Sequence, residues 1–304
     1  MTSKSSIDRQ LDRTGGSIGY LSGQWVPRQA MSISIEDIGF RQGVTIVERL
    51  RTYASKLFAV EAHLERWQRS AHELGIEKLP SANQMRSLLD ELLDRNAAAI
   101  EGHPDVGVTL FATPGKVGEE PTLGLHLNEL NHSLIQRRRQ AGQTLVVTTV
   151  RQPAGDCWPR TIKVRSRIHY FRADSIARRY EDDASGLLID DDDRVTETSI
   201  ANVAIVNAGA IVSPPPASVL PGVTQAVVKS LAAELRIPWT HQVISVSDLL
   251  AAEEVLLMGT DAGIWFASQV AIADQEGAKL MAGKKAAGPV FLTLRGAFDR
   301  FTAG

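Results

Sequence analysis

Several features that mark other classes of protein are scarce in this sequence. One cysteine, Cys157, stands among 304 residues, so no disulfide can form within the chain and a reducing compartment is favoured. No run approaches the roughly 20 apolar residues that span a bilayer. The polar tail, residues 1–16, lacks the apolar stretch of a signal peptide. The sequence therefore predicts a cytoplasmic protein with no membrane association.

An excess of one charge is also lacking. The formal net charge is −2, and acidic and basic residues are spread along the chain, which predicts no nucleic-acid or membrane surface. The one basic cluster is Arg137 to Arg139. A run this short is more typical of a solvated connector than of a phosphate or nucleic-acid patch.

Metal-binding and hydrolase motifs are missing as well. The acidic run Asp190 to Asp193 is contiguous, whereas an EF-hand needs alternating acids and a glycine at the sixth position, where this chain has Val195. The seven histidines are scattered, so zinc is not expected, and no G-x-S-x-G nucleophile motif occurs. Because the aspartates lie between two strand-like segments, we expect them to form a solvated hairpin turn.

What is present is the composition of a globular protein, with 43% hydrophobic and 22% charged residues. The length favours about two domains. The stretch GYLSGQWVPRQA predicts a β-hairpin, because apolar and polar residues alternate around a Ser-Gly turn. Apolar residues then recur at helical spacing from Val60 to Leu74, which predicts an amphipathic helix ending at Gly75. A second helix is predicted over about residues 83–100.

The polar stretch NHSLIQRRRQAG, residues 131–142, has no periodicity and is predicted to be an interdomain linker. It would separate a small N-terminal domain, residues 1–130, from a larger domain, residues 143–304. In the larger domain we predict a helix over about 168–181, strands in GLLID, RVTETSIANVAIV, AIVSPP and EEVLLMGT, and a helix in PGVTQAVVKSLAAELRI. The expected fold class is mixed α/β.

Two residues stand out as candidate reactive groups. Lys163 lies in RTIKVRSRIHYFRAD, just before a predicted helix, although a lysine is most often a solvated surface group. Glu197 lies in a strand of apolar and small polar residues, where burying an unpaired carboxylate costs several kcal/mol. We therefore expect Glu197 to have a cationic partner or to face a cavity.

Two small-residue segments could hold an anion. The stretch LPGVTQ places Gly222, Val223 and Thr224 at the start of a helix, where free backbone N–H groups and the helix dipole favour a phosphate. The stretch MGTDAG places Gly259 and Thr260 in a turn that ends a strand. Each segment could equally be an ordinary helix start or turn.

Arg66, on the predicted helix HLERWQRSAHELGI, is either an anion ligand or a surface charge. Taken with the two small-residue segments, Lys163 and Glu197 complete a set consisting of a lysine, a carboxylate and a phosphate-binding cup.

Six segments of the chain together resemble the class IV aminotransferases. This is the pyridoxal-phosphate fold type IV family of branched-chain and D-amino-acid aminotransferases and 4-amino-4-deoxychorismate lyase. The segments are SIEDIGFRQGVTIVERLR, HLERWQRSA, IKVRSRIHY, RVTETSIANVAIV, VLPGVTQ and AAEEVLLMGTDAGI, between about residues 19 and 290. Any one of them is weak, but six in the family's order and spacing indicate the family.

The resemblance implies a role for each candidate residue and pyridoxal 5'-phosphate as the cofactor. The family pattern places the cofactor lysine at Lys163 and the carboxylate partner of the pyridine nitrogen at Glu197. The implied phosphate contacts are Arg66, Val223, Thr224 and Thr260, and Gly259 is a further implied cofactor-binding residue. Asn202 is expected to be structural. The family also implies a small N-terminal α/β domain, a larger strand-rich C-terminal domain, the cofactor between them, and a homodimer.

The chain departs from common family patterns in several places. It has Val47 where many relatives have phenylalanine and Gln225 where they have arginine. Gly263 stands where branched-chain enzymes often have glutamate, and the strand VGVTLFATPG lacks the arginine that several subfamilies use for the substrate carboxylate. His169 and Tyr170 do not align cleanly with the family's cofactor tyrosine. The carboxylate-binding residue and the substrate's chirality therefore stay open.

Three functions fit these residues. The first is an aminotransferase that moves an amino group from an α-amino acid, branched-chain-like, to a 2-oxo acid in a ping-pong cycle. The second is a lyase of the 4-amino-4-deoxychorismate type, and the third is an inactive cofactor-binding or interaction protein. Retention of both Lys163 and Glu197 argues against the third, because a scaffold needs neither.

Overall fold

The computed structural model of the protein describes residues 16–102, 105–273, 283–284 and 286–304. The chain divides into two compact units. Unit 1 contains the chain up to Leu130 together with Ile162–Ser166, and unit 2 contains Asn131–Thr161 and Arg167–Gly304.

Unit 1 is built on one sheet of six strands. The strands are β1 (Ile18–Leu21), β2 (Gln24–Pro27), β3 (Ile46–Tyr53), β4 (Lys56–Leu57), β5 (Gly107–Thr113) and β6 (Thr122–Asn128), in the spatial order β2-β1-β6-β5-β3-β4. The helices are α1 (Ile38–Arg41), α2 (Val60–Glu73), α3 (Ala82–Arg95) and α4 (Ala97–Ile100). Every strand pair in this sheet is antiparallel.

The sequence patterns in unit 1 give the elements they predict. β1 and β2 form the expected hairpin, and Ser22 and Gly23 at its turn both have positive φ. The apolar stripe of α2 enters the core, where Trp67 is 1% exposed. The second predicted helix begins with a capping box at Ser81. It is interrupted at Asn96, whose side chain accepts from the Ile18 N–H and donates to the Ile18 carbonyl.

Unit 2 holds the remaining strands and helices. The strands are β7 (Gln143–Arg151), β8 (Ser185–Ile189), β9 (Val195–Thr198), β10 (Asn202–Asn207), β11 (Ala210–Ser213), β12 (Trp239–His241), β13 (Glu254–Gly259), β14 (Gly263–Ile272) and β15 (Gly283–Lys284). The helices are α5 (His132–Ala141), α6 (Ile168–Ala177), α7 (Val223–Glu234), α8 (Val246–Ala251) and α9 (Pro289–Ala303). Short 3₁₀ turns occur at Arg28–Ala30 in unit 1 and Pro216–Ser218 in unit 2.

The strands of unit 2 form one mixed sheet in the order β12-β11-β10-β13-β14-β7-β8-β9, with β15 added beside β14. Because β9 also pairs with β10, six of these strands close into a ring. Trp265 lies in the apolar core, and its indole N–H donates to the Gln143 side chain over 2.9 Å. Helices and strands are thus mixed in both units, which confirms the predicted α/β class.

The prediction of an unstructured linker over residues 131–142 is wrong, because residues 132–141 form helix α5 within unit 2. The Asn131 side chain caps the helix by accepting from the Leu134 N–H, and Gly142 ends it with positive φ. Arg138 forms a 2.5 Å ion pair with Asp183. Polar contacts of this kind stabilise the helix. The helix therefore forms although its sequence has no apolar period.

Two other predicted elements are also corrected. The helix expected over 168–181 ends at Ala177. The strand expected in RVTETSIANVAIV is two strands, because Thr198 turns the chain: its hydroxyl accepts from the Ala201 N–H over 2.9 Å.

The aspartate run forms the predicted hairpin turn between β8 and β9. Three of the four aspartates are exposed, but Asp190 is buried. The Asp190 carboxylate accepts from the N–H groups of Asp192 and Arg194 over 3.1 and 3.0 Å, so it closes the turn itself. In the part of the chain that the structure describes, no group of three or more histidine, cysteine or acidic side chains could hold a metal ion.

Candidate functional site

Lys163 lies on a short segment that pairs with the edge of β3 in unit 1. The Lys163 carbonyl accepts from the Val47 N–H over 3.0 Å, and the Arg165 N–H donates to Thr45 O over 2.9 Å. The Lys163 N–H donates to the Ser70 hydroxyl of α2 over 3.1 Å. The backbone around the lysine is therefore fixed to both the sheet and a helix.

The side chains along this segment alternate between two faces. Val164 is paired with Ile46 and packs against the apolar core of unit 1. Since successive residues of an extended segment point to opposite sides, Lys163 and Arg165 leave on the face away from that core. Lys163 is half-buried and Arg165 is exposed.

Arg66 lies in a buried cluster with Glu48 and His63. Its Nε and Nη2 atoms each donate to one oxygen of Glu48 over 2.7 Å, which makes a bidentate ion pair. His63 Nδ1 lies 2.8 Å from Glu48 Oε2. Glu48 comes from β3 and the other two residues from α2, so the cluster joins the helix to the sheet.

The cluster fixes the protonation of its members. Burial raises the pKa of Glu48, but the charge and hydrogen bonds of Arg66 and the contact with His63 outweigh it and hold the pKa at about 2. Burial lowers the pKa of His63. His63 is therefore neutral near pH 7, with its proton on Nδ1, where it donates to the Glu48 carboxylate. Among the described residues, no hydrogen-bond partner reaches the buried Nε2 atom of His63.

Glu197 lies in unit 2 on β9 and is 4% exposed. Its carboxylate accepts from the Tyr170 hydroxyl over 2.7 Å, from the Asn202 side-chain amide over 3.2 Å, and from the Leu220 N–H over 3.2 Å. These three donors are uncharged, and together they hold the carboxylate in one orientation. The sequence predicted a cationic partner or a cavity for Glu197, and it did not predict these three hydrogen bonds.

Tyr170 is a site residue whose role the sequence leaves open. It lies on α6, and Arg167 stacks over its ring at 4.7 Å. Burial and the Glu197 charge raise the pKa of Tyr170 well above its usual value, so its hydroxyl keeps the proton that it donates to Glu197. His169 contacts the Tyr170 ring, and burial together with Arg167 lowers the pKa of His169 to about 4.

Asn202, which was expected to be structural, bonds both Glu197 and the segment before α7. It pairs with Glu197 across β9 and β10, and its amide also donates to Leu220 O over 2.8 Å. Because Leu220 lies shortly before α7, these bonds fix the start of that helix relative to Glu197. A side chain at Gly222 would place its Cβ 1.8 Å from Asn202 Oδ1, so only glycine fits there.

The two small-residue segments both lie near Asn202, the residue that bonds Glu197 in unit 2. Helix α7 begins at Val223, and its first internal hydrogen bond is donated by the Ala226 N–H, so the N–H groups of residues 223–225 point out of the helix end. Gly259 ends β13, whose residue Met258 pairs with Asn202, and Thr260 follows in the turn. A Cβ at Gly259 would lie 2.2 Å from Ile200 O, so this turn packs closely on the loop after β9.

The structure thus gathers the candidates into two groups. Unit 1 carries Lys163 and Arg66. Unit 2 carries the other predicted site residues, Glu197, Val223, Thr224, Gly259 and Thr260. Glu48, His63 and Tyr170 were not predicted as site residues; their contacts join β3 to α2 and α6 to β9, which spacing along the sequence does not reveal.

A sequence profile of the family described as amino-transferase class IV matches residues 45–270. D-alanine aminotransferase of Staphylococcus epidermidis is 27% identical over 252 residues, which cover 81% of this chain and 86% of that protein. The branched-chain-amino-acid aminotransferase-like protein 1 of Arabidopsis thaliana is 25% identical over 94% of this chain. The match covers 50% of that protein, so this chain spans about half of its length.

Solved structures share the fold. The branched-chain aminotransferase of Thermoproteus uzoniensis with norvaline superposes with a TM-score of 0.83 at 21% identity, covering 95% of this chain and 96% of that one. The branched-chain amino acid aminotransferase of Escherichia coli gives a TM-score of 0.80 at 21% identity, covering 95% of each chain. These matches confirm the expected fold type IV architecture. With the family profile spanning residues 45–270, they establish that the chain belongs to the class IV aminotransferases.

Proposed function

We propose that the protein is a pyridoxal-phosphate-dependent aminotransferase that moves an amino group from an α-amino acid to a 2-oxo acid in a ping-pong cycle. The observation that carries the proposal is the environment of Glu197, a buried carboxylate oriented by three uncharged donors. Such a carboxylate suits a protonated pyridine nitrogen, because a buried acceptor held in one orientation stabilises a positive charge placed beside it. Family membership supports the same reaction class.

Lys163 is the proposed reactive residue. Its Nζ would hold the cofactor covalently and, once released, would carry the proton to and from the substrate Cα. The backbone of residues 163–165 is hydrogen-bonded to Val47, Thr45 and Ser70. These bonds fix the position of the Lys163 Cα, from which the side chain extends. The cofactor, when bound, supplies the electron sink for the bond changes at Cα.

Glu197 would keep a proton on the ring nitrogen of the cofactor. Tyr170 and Asn202 would act as positioning residues, because they hold the two carboxylate oxygens in place. Arg66 and the ends of α7 and β13, with Val223, Thr224, Gly259 and Thr260, are proposed to bind the phosphate through a guanidinium, helix N–H groups and a hydroxyl.

For the substrate we propose a branched-chain-like amino acid, with its chirality left to experiment. The branched-chain aminotransferases among the similar structures support this choice, and the D-alanine aminotransferases among the relatives are the reason to test both chiralities. We further propose that the protein works in the cytoplasm as a homodimer. No described helix has the length and apolar character to cross a membrane, and the single cysteine is free.

The first test is spectroscopic. Purified protein given pyridoxal phosphate should develop the visible absorption of a lysine-bound cofactor, and Lys163→Ala should abolish it. Lys56→Ala is the matched control, because Lys56 is exposed on β4 and should leave the absorption unchanged. A wild type that takes up no cofactor would refute the proposed function.

The second measurement identifies the reaction. Single L- and D-amino acids are mixed with the loaded protein, and an aminotransferase should convert the absorption to that of the pyridoxamine form with amino acid alone. A lyase would leave that absorption unchanged and release pyruvate from 4-amino-4-deoxychorismate. The same screen reads the chirality of the substrate.

A further inference from the structure

One face of the unit 1 sheet carries the reactive lysine and a set of cationic side chains. On β3, Glu48 faces the core with Ile46, so the alternation of the strand places Val47 and Arg49 on the opposite face, the one on which Lys163 leaves. The register continues this face across the sheet, because Arg49 pairs with Thr109 of β5, which pairs with His126 of β6.

Arg49 lies across the neighbouring strand and is held there. Its Nη1 donates to the Thr109 hydroxyl over 3.4 Å, and its Nη2 donates to Glu129 O over 3.3 Å. A Cβ on Gly107 would lie 2.7 Å from Arg49 Nη2, so the absence of a side chain at that position makes room for the guanidinium. Arg49 is half-buried, which strengthens its interaction with an anion relative to a fully solvated arginine.

The surroundings of Arg49 are positively charged. Burial lowers the pKa of His126, and the charges of Arg28, Arg165 and Arg49 lower it further. The neutral His126 on this face therefore lies close to three permanent cations. Two uncharged side chains, Val47 and Phe111, are cross-strand neighbours on the same face.

We propose that Arg49 binds the carboxylate of the amino-acid substrate, with the Thr109 hydroxyl positioning its guanidinium. The inference rests on the proposed function. An amino acid that reacts at Lys163 brings its carboxylate within one bond of the reacting Cα, so its anchor must lie close to the lysine on the same face. Lys163 is hydrogen-bonded to Val47, and Arg49 lies two residues farther along β3, about 7 Å away. A guanidinium is suited to bidentate binding of a carboxylate across that distance.

This assignment also accounts for the composition of β5. That strand carries Thr109 and Phe111 on the lysine face and has no arginine of its own. Arg49 supplies the cation from the adjacent strand and bonds the residue that stands in register with it. The specificity for a carboxylate would then come from β3.

The test uses the cofactor-loaded protein and a carboxylate that cannot react, 4-methylvaleric acid. Calorimetric binding should weaken by about 10- to 100-fold in Arg49→Met, the loss expected for a charge-assisted contact, and by less in Arg49→Lys. Arg28→Met is the matched control, since Arg28 is also a half-buried arginine whose charge lowers the pKa of His126; it should change the affinity by no more than about threefold. Equal binding by wild type and Arg49→Met, or an equal loss in Arg28→Met, would overturn the assignment.

A kinetic comparison separates this inference from the proposed function. The rate of cofactor conversion is measured with an amino acid and with the amine of the same side chain, which lacks the carboxylate. Arg49→Met should lower kcat/KM by about 10- to 100-fold for the amino acid and by less than about threefold for the amine. Equal losses for both would contradict the role of Arg49, whereas a wild type without reaction would contradict the proposed function. If Arg49→Met does not fold, the comparison is made with Arg49→Lys. An unchanged visible absorption would show that this variant still binds the cofactor.

Discussion

Several residues near the candidate site hold another side chain in place and are not themselves candidate cofactor ligands. Glu48 is the clearest case, because one buried carboxylate holds both Arg66 and His63. An arginine that is to bind a phosphate benefits from such a partner, since the ion pair selects one orientation of the guanidinium before the anion arrives. The cost of burying the charges is offset only while all partners are present.

The Glu48 cluster predicts a pH-dependent loss of stability. Glu48→Gln should lower the free energy of unfolding by about 3–5 kcal/mol at pH 7, because it leaves Arg66 buried without its counter-charge. The pKa of Glu48 is about 2 in the folded protein and 4.5 without its partners, so its stabilisation is present above pH 4.5 and is lost as the pH falls toward 2. The difference between wild type and Glu48→Gln should shrink over that window.

Urea unfolding at a series of pH values measures this difference. Glu61→Gln is the control, since Glu61 forms an exposed ion pair with Arg86 and should cost at most about 1 kcal/mol. A difference between Glu48→Gln and wild type that stays constant down to pH 2 would show that Glu48 does not titrate as described.

At this scale the sequence predicts residue types better than their partners. Glu197 is recognisable because a carboxylate in an apolar strand demands an explanation. Its donors, Tyr170 and Leu220, are 27 and 23 positions away, and no local pattern links them. They meet only because α6 packs against β7 and β8, with β9 next to β8 in the sheet, and because the loop before α7 returns to β9.

Among the elements, the start of α7 is positioned by the tightest packing around the candidate site. Gly222 precedes the helix and lies against Asn202, which also holds Glu197. A methyl group at that position has to displace Asn202, and the displacement would reach the carboxylate and the helix end together. The absence of a side chain is therefore a condition for the geometry of unit 2.

Gly222→Ala should destabilise the protein by about 1–3 kcal/mol and weaken uptake of pyridoxal phosphate. The physical reason is the 1.8 Å approach of the new Cβ to Asn202 Oδ1. Gly155→Ala is the matched control, because nothing lies within 4 Å of a Cβ there, and its effect should stay within about 0.5 kcal/mol. Urea unfolding and titration with the cofactor measure both effects; equal behaviour of the two variants would argue against this packing.

Elements with an apolar period were predictable from sequence and polar ones were not. The stripe from Val60 to Ala71 gives α2 as expected. Helix α5 has no such stripe, because ion pairs such as Arg138 with Asp183 and the cap at Asn131 stabilise it. A helix of that kind looks like a linker until its acidic partner, 45 positions away, is known.

For the whole molecule, we expect a homodimer in solution. Large apolar side chains are exposed in both units, with Phe40 and Phe171 each 70% exposed. Light scattering on a sizing column should give twice the mass of one chain over a dilution series. Phe40→Ser and Phe171→Ser test whether these side chains contribute, since either would then shift the mass toward that of one chain. A wild type that stays at the mass of one chain would contradict the dimer.

The division of the chain into units was only partly predictable. Composition indicates a boundary near residue 131, but nothing in the sequence indicates that Ile162–Ser166 belongs to unit 1. That assignment depends on pairing between Val164 and Ile46, which is a tertiary contact.

The same pairing has a consequence for the order in which the protein becomes active. Lys163 and Ser70 are 93 positions apart, and Ser166 and Gly43 are 123 positions apart, so these contacts close long loops of chain. Contacts between distant parts of a sequence are slow to form because the entropy of loop closure must be overcome first. We therefore expect Lys163 to reach its native position late in folding. The native position of Lys163 should then appear only when the fold is nearly complete, and not in an early intermediate.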